Sequence, residues 1–442
     1  MGEAKRGGKF FARGWFMVLV VFITVIVTQG FSLYSFSMIK VPLTEMLGAD
    51  PTQVAMGFSM YVLVVGFASL IVGDIIDKIG LKRTLILSAV IYSSGYFIIG
   101  TLDSLWMLYV AYFIMGFGNA LGGMVIDSGI PSNWFVKSRG LAVGIIMSAM
   151  FPGSLVATNL VSFFASSGNW QMACIVMGVL SFVVLFVSAF ILKWRPQDVG
   201  LLPDGMTEEE AAQTADQAAA AKLIGLNRKQ AFRTGTFWLL FAAFALIGIG
   251  EQGPFQNMPT YLMANGLDLA AAGSFMSFLA FAGVCGKLTS GVVVDKIGPR
   301  LAYPFINFLA AAGLVIILVG GGNMVALYVG GFCFGAALSS STVCFSTATA
   351  KYLGPKFYAQ LYGIIYMGKP VMDAVGVPLV ANVSESALGW TGAFAIAIFF
   401  IVASAVCMLL AKKNKQLVTM EREATRQLVE DREETREPAS LT

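Results

Sequence analysis

The stretch GDIIDKIGLKR, residues 73–83, returns with its DKIG core intact as GVVVDKIGPR, residues 291–300. Asp77 thus answers to Asp295 and Gly80 to Gly298, each 218 positions apart. Pro152 and Pro370 keep the same interval, and Pro42 and Pro259 miss it by one. The chain is therefore two similar halves in tandem. In each copy, Gly80 or Gly298 suits a tight turn because glycine tolerates positive φ, and Gly73 or Gly291 leaves room for a close helix approach. Asp77 and Asp295 can bond a helix N-terminus or a basic side chain. One copy alone reads as an anchored loop. Two copies at matching places, taken with the basic residues Arg83, Arg300 and Arg139, read as a paired gate.

The sequence around the two copies is apolar. Of the 442 residues, 57% are hydrophobic and only 12% charged, with mean hydropathy +0.77, the composition of a polytopic membrane protein. A spanning helix needs roughly 20 mainly apolar residues. Such runs lie at 15–37, 54–73, 84–101, 105–127, 139–162 and 171–192, and again at 235–258, 270–294, 301–319, 324–348, 358–381 and 389–410. Because a helix satisfies its own backbone hydrogen bonds in lipid, the expected fold is an all-α polytopic membrane protein. It has twelve transmembrane helices in two pseudo-symmetric six-helix bundles. The first apolar run is too long for the core of a signal peptide, and eleven more follow it, so it reads as a retained helix.

The organisation follows: an N-terminal segment at 1–14, the first bundle at 15–192, a linker at 193–232, the second bundle at 233–411 and a charged tail at 412–442. The linker holds Pro196, Pro203, Glu208 to Glu210 and an alanine-rich stretch, and reads as a flexible connector with a short surface helix. The tail reads as an exposed helix with a disordered end. All but Lys40, Lys287 and Lys369 of the 29 lysines and arginines fall in the tails, the linker or the loops on the N-terminal side of the membrane. That asymmetry predicts a multi-pass protein of the plasma membrane or bacterial inner membrane, with both termini cytoplasmic. The net charge of +4 reflects this topology and gives no ground for a nucleic-acid partner. The absence of histidine excludes a histidine-based metal site, catalytic dyad or proton relay. Five cysteines, Cys174, Cys285, Cys333, Cys344 and Cys407, lie in predicted spans without a CxxC pair and read as buried small hydrophobes. No cofactor, no metal and no enzymatic nucleophile–base pair is expected.

A membrane chain with two repeated halves has the organisation of a secondary transporter, in which the halves rock about a central site. The doubled loop motif makes the chain resemble the major facilitator superfamily over all but its tails and linker. GFGNALGG from Gly116, NWFVKSRGLAVGI from Asn133 to Ile145 and YGIIYMGKP from Tyr362 narrow the resemblance to the oxalate/formate antiporter family and the related monocarboxylate transporters. Members of that family exchange or co-transport small carboxylates. The resemblance implies that Lys369 matches the family's anion-binding lysine in helix 11, and that Lys287 matches its helix 8 basic residue, which is usually arginine. Lysine lacks arginine's planar fork and acts as a mobile point charge. Lys287 lies two helical turns from Asp295, so an ion pair with it is a rival role. Tyr34 matches a site tyrosine of the family. Where its oxalate carriers place aromatic rings in helix 10, this chain has AALSSSTVCF with Ser341 and Thr342. That departure implies a bulkier or more polar anion than oxalate.

Charges inside apolar runs are expensive and mark function. Glu251, in IGIGEQGPFQN, aligns by the repeat with the neighbourhood of Tyr34, and the glycines and Pro254 around it suit a bendable helix. It can carry a coupling proton, pair with Lys369, or lie at the outer interface. Asp373 follows Lys369 by four residues, on the same helix face. Asp127 reads as a gate anchor or as part of the coupling machinery. The expectation is a monomeric secondary transporter for a small organic carboxylate, working by alternating access in contact with membrane lipid. It would run either as proton symport or as anion exchange. A zwitterionic or cationic metabolite anchored by Glu251 is an alternative, and a non-transporting sensor on the same scaffold is another.

Overall fold

The computed structural model describes residues 2–135, 138–206, 225–320, 323–338, 340–354, 356–413 and 417–419. Twelve helices in it are long and apolar enough to cross a membrane. The first, α1, runs through Gly2–Val25, a wider-turned stretch Ile26–Gly30 and Phe31–Leu47. It is followed by α2 (Pro51–Ile79), α3 (Leu81–Thr101) and α4, which runs as Leu105–Gly122 and, after a break at Gly123, as Met124–Trp134. The first half ends with α5 (Arg139–Ser148 and Met150–Ser166) and α6 (Trp170–Ile191). The second half contains α7 (Gly235–Ala264), α8 (Leu269–Ile297), α9 (Pro299–Val319) and α10 (Met324–Leu338 and Ser341–Leu353). It closes with α11 (Tyr358–Glu385) and α12 (Gly389–Leu410). The alanine-rich linker helix and the tail helix lie outside the described residues, apart from a single turn at 417–419.

Helix ends follow local chemistry more than the apolar windows. α1 continues ten residues past its predicted end, to Leu47. α2 starts at Pro51 under the Asp50 cap, where Gln53 returns the bond by accepting from the Asp50 N–H at 3.2 Å. The two repeated loops are single-residue turns: Gly80 has φ +83° and Gly298 φ +77°, values that disfavour any side chain. The expectation for Gly73 and Gly291 needs correcting. A Cβ at either would meet nothing within 4 Å, so neither is a close helix contact in this conformation. Of the gate residues, three have described side chains. Asp77 and Arg83 are exposed, Arg300 donates from Nε to the Leu409 carbonyl at 2.9 Å and so caps α12, and the side chains of Arg139 and Asp295 lie outside the described residues.

Large apolar side chains such as Phe67, Leu70, Phe163, Phe308, Val319 and Phe399 point outward, as they must where lipid is the solvent. Inside each half, glycines set the closest crossings. Gly30 of α1 meets Gly153 of α5, where a Cβ would lie 2.6 Å from the facing Cα, and Gly376 of α11 meets Ile249 of α7 with the same spacing. The halves meet along α2–α11 and α5–α8. Their described polar links are the Ser59 hydroxyl to the Ala374 carbonyl, Thr158 to Ser277 at 2.9 Å, Gln256 to the Leu33 carbonyl at 3.2 Å, and the Lys40 ammonium to Asn257. All four lie in the half of the membrane away from the Gly80 and Gly298 turns.

Candidate substrate site

α7 reaches the centre as GIGEQGP. The three glycines let α11 and α12 come against its backbone, and a Cβ on Gly248 would sit 2.8 Å from both the Lys369 carbonyl and Asp373 Oδ1. That closeness brings three charges together. Lys369 Nζ lies 2.9 Å from Asp373 Oδ1, one turn along α11, and 3.3 Å from Glu251 Oε2 of α7. Ser341, which opens the second segment of α10, donates its hydroxyl to Glu251 Oε1. The Glu251 side chain is 2% exposed and that of Lys369 15%, so the lysine is the open member of the triad.

Glu251 is therefore a partner of Lys369, near the middle of α7. Thr342, half-buried, lies beside Ser341 without a hydrogen bond to the triad. Tyr34 is buried and packs edge-on against Phe255 of α7, with ring centroids 5.4 Å apart. Lys287 stays outside the triad: it is half-buried, and its ammonium makes no ion pair or hydrogen bond with any described residue. Asp127 is fully buried in the other half and touches Gln29 of α1.

Aromatic rings do border the site, though the sequence reading singled out none of them. Phe244 of α7 lies 4.3 Å from Phe345 of α10 and 5.6 Å from Tyr366 of α11, and Phe345 meets Tyr303 of α9 at 4.8 Å. Along α11, Tyr358, Tyr362 and Tyr366 form a half-buried ladder with steps of 5.4 and 5.9 Å, rising from the turn side toward Lys369. Their spacing of four was visible in the sequence as one helical stripe.

Two tandem six-helix halves around a buried, charged, partly open centre define a solute carrier. The chain belongs to the Major Facilitator Superfamily, whose profile matches residues 20–368 and 284–440. It is similar to the oxalate:formate antiporter of Oxalobacter formigenes, 23% identical over 92% of this chain and 94% of that protein. It is also similar to a probable sulfoacetate transporter of Cupriavidus necator, 26% identical over 62% of this chain and 64% of that protein. In fold it resembles the Escherichia coli xylose transporter XylE in a partially occluded inward-open conformation, with TM-score 0.70 and 12% identity over 91% of this chain and 99% of that one. The protein is a membrane transporter and not an enzyme.

Proposed function

We propose that the protein is a secondary active transporter of a small organic carboxylate, cycling by alternating access with Lys369 as the anion's counter-charge. The observation that carries this reading is the Lys369 triad. The ammonium is held by two carboxylates, yet Lys369 is the most exposed member of the triad. An arriving carboxylate can take Lys369 from Glu251 or Asp373. With two carboxylates already present, it binds with net attraction only if one of them is neutralised or if it replaces another anion. The first route is proton symport, with Glu251 carrying the proton and Ser341 holding its other oxygen. The second is exchange. Lys287, uncommitted to a partner among the described residues, supplies a second positive charge on the same half. Relatives named for oxalate, formate and sulfoacetate fit an anionic substrate. Both termini are assigned to the cytoplasm on the distribution of basic residues.

The excess of carboxylates favours one rival, a zwitterionic or cationic metabolite whose ammonium sits at Glu251. Purified protein in liposomes, offered radiolabelled mono- and dicarboxylates, sulfonates and betaines, separates the readings. Each substrate is tested with and without a pH gradient and with unlabelled substrate inside. Carboxylate uptake accelerated from the far side and indifferent to pH supports exchange, and substrate-driven internal acidification supports symport. Uptake of betaines with no carboxylate transport would overturn the anion reading.

A further inference from the structure

Asp127 is 0% exposed and faces no basic side chain among the described residues. Its one hydrogen bond with a described residue is long, from Gln29 Nε2 to Oδ2 at 3.5 Å, and Oδ1 has no partner. Beside it Asn119, 1% exposed, spends its Nδ2 on the Thr28 carbonyl at 2.7 Å and leaves its own Oδ1 without a donor. Asn119 and Gln29 converge on Gly123: a methyl there would lie 2.9 Å from Asn119 Oδ1 and 3.1 Å from Gln29 Nε2. Tyr92 of α3 is committed to the Val27 and Thr28 carbonyls at 2.9 and 3.2 Å.

Two buried acceptor oxygens, one of them on a carboxylate, thus lie near the Gln29 amide, and neither receives a hydrogen bond from a described residue. A buried water could donate hydrogen bonds but would leave the charge uncompensated, and an uncompensated buried carboxylate is strongly destabilising. Both helices that build the space are irregular there, α1 by its widened turn at Ile26–Gly30 and α4 by its break at Gly123. Interrupted helices commonly hold ions in membrane carriers, and widened turns recur at functional sites.

We propose that Asp127, Asn119 and Gln29 form a binding site for a small monovalent cation, a proton or Na⁺, in the N-terminal half, across the molecule from Lys369. The site stands apart from the anion reading, and its test contains no anionic substrate. Full-length protein in detergent is melted at constant ionic strength in NaCl against choline chloride, and separately across a pH series. Wild type should gain roughly 2–4 °C in Tm from Na⁺ if the occupant is sodium, or from acid if it is a proton. Asp127→Asn should lose that response while melting no lower than wild type in the cation-poor medium. In parallel, wild type should bind ²²Na⁺, or take up a proton in weak buffer, and Asn119→Ala should weaken that binding at least threefold. The proposal fails if wild type responds to neither cation, or if Asp127→Asn keeps the full response. It fails equally if Asp127→Asn is less stable than wild type in every condition, because that result marks an ordinary structural ion pair.

Discussion

Removing Lys369 tests the site most directly. Its ammonium faces opposite charges at 2.9 and 3.3 Å. With an effective dielectric of about 20, each contact is an attraction of roughly 5–6 kcal/mol before desolvation is subtracted. Deleting one partner of a buried ion pair typically costs about 3–5 kcal/mol, since the other charge stays behind. Here two carboxylates stay behind and repel one another. Lys369→Ala should therefore lower unfolding stability by about 3–5 kcal/mol and weaken carboxylate binding by at least roughly tenfold, the loss of one charged hydrogen bond. The double variant Lys369→Ala with Glu251→Gln separates the two effects. It should regain most of the stability, having one fewer naked charge, but no binding. Lys369→Arg should keep some binding and turn over slowly, because the larger planar head fits the pocket differently. Thermal denaturation and radiolabelled-substrate binding on the same detergent preparation read both quantities. Wild-type affinity in Lys369→Ala would refute the reasoning and leave the triad a purely structural ion pair.

Three further outcomes are expected. In a cysteine-free background, single cysteines at Asn323 and Ser386 should be labelled from outside the cell and one at Gln213 from inside; the reverse pattern overturns the topology. Asp77→Asn and Asp295→Asn should slow transport while leaving substrate affinity near wild type, and complete loss of binding in folded protein would move them into the site. Gly376→Ala places a methyl 2.6 Å from the Ile249 Cα; overpacking of this kind costs about 1–3 kcal/mol, so it should lower Tm and impair transport though no charge is touched, and wild-type uptake would show that the α7–α11 crossing yields freely.

The spans were legible because apolar length and self-satisfied backbones leave lipid little choice, and the repeated DKIG turns were legible because glycine at positive φ leaves a mark in sequence. Lys369 and Asp373 could be paired from their spacing of four on one helix. Glu251 joins them through glycine contacts between α7 and α11, a distance that no single-chain pattern records, and so its place in the membrane stayed open until the fold was seen. The widened turn of α1 and the break at Gly123 went unread because IVTQG and GNALGG carry no proline to announce an irregular helix. Lys40 was set aside as a leftover charge, since its partner Asn257 lies 217 residues away in the other half. The aromatic border was missed because the α10 stretch AALSSSTVCF was read for its hydroxyls and not for its closing Phe345, while Phe244, Tyr303 and Tyr366 come from other helices.

The seal formed by Lys40, Ser59, Thr158 and Gln256 has a consequence for how the molecule keeps time. None of its described hydrogen bonds joins two full charges: each ends on a neutral amide, hydroxyl or carbonyl, and Lys40 feels the Glu385 carboxylate of the other half only at longer range. Such bonds contribute about 0.5–3 kcal/mol apiece, and water replaces them readily when they part. A latch of ion pairs would trap the carrier on one side, because a ligand can tilt an equilibrium only by its difference in affinity for the two states. In a carrier that rocks between two orientations, a latch of such bonds would leave a bound solute less to overcome than a latch of ion pairs.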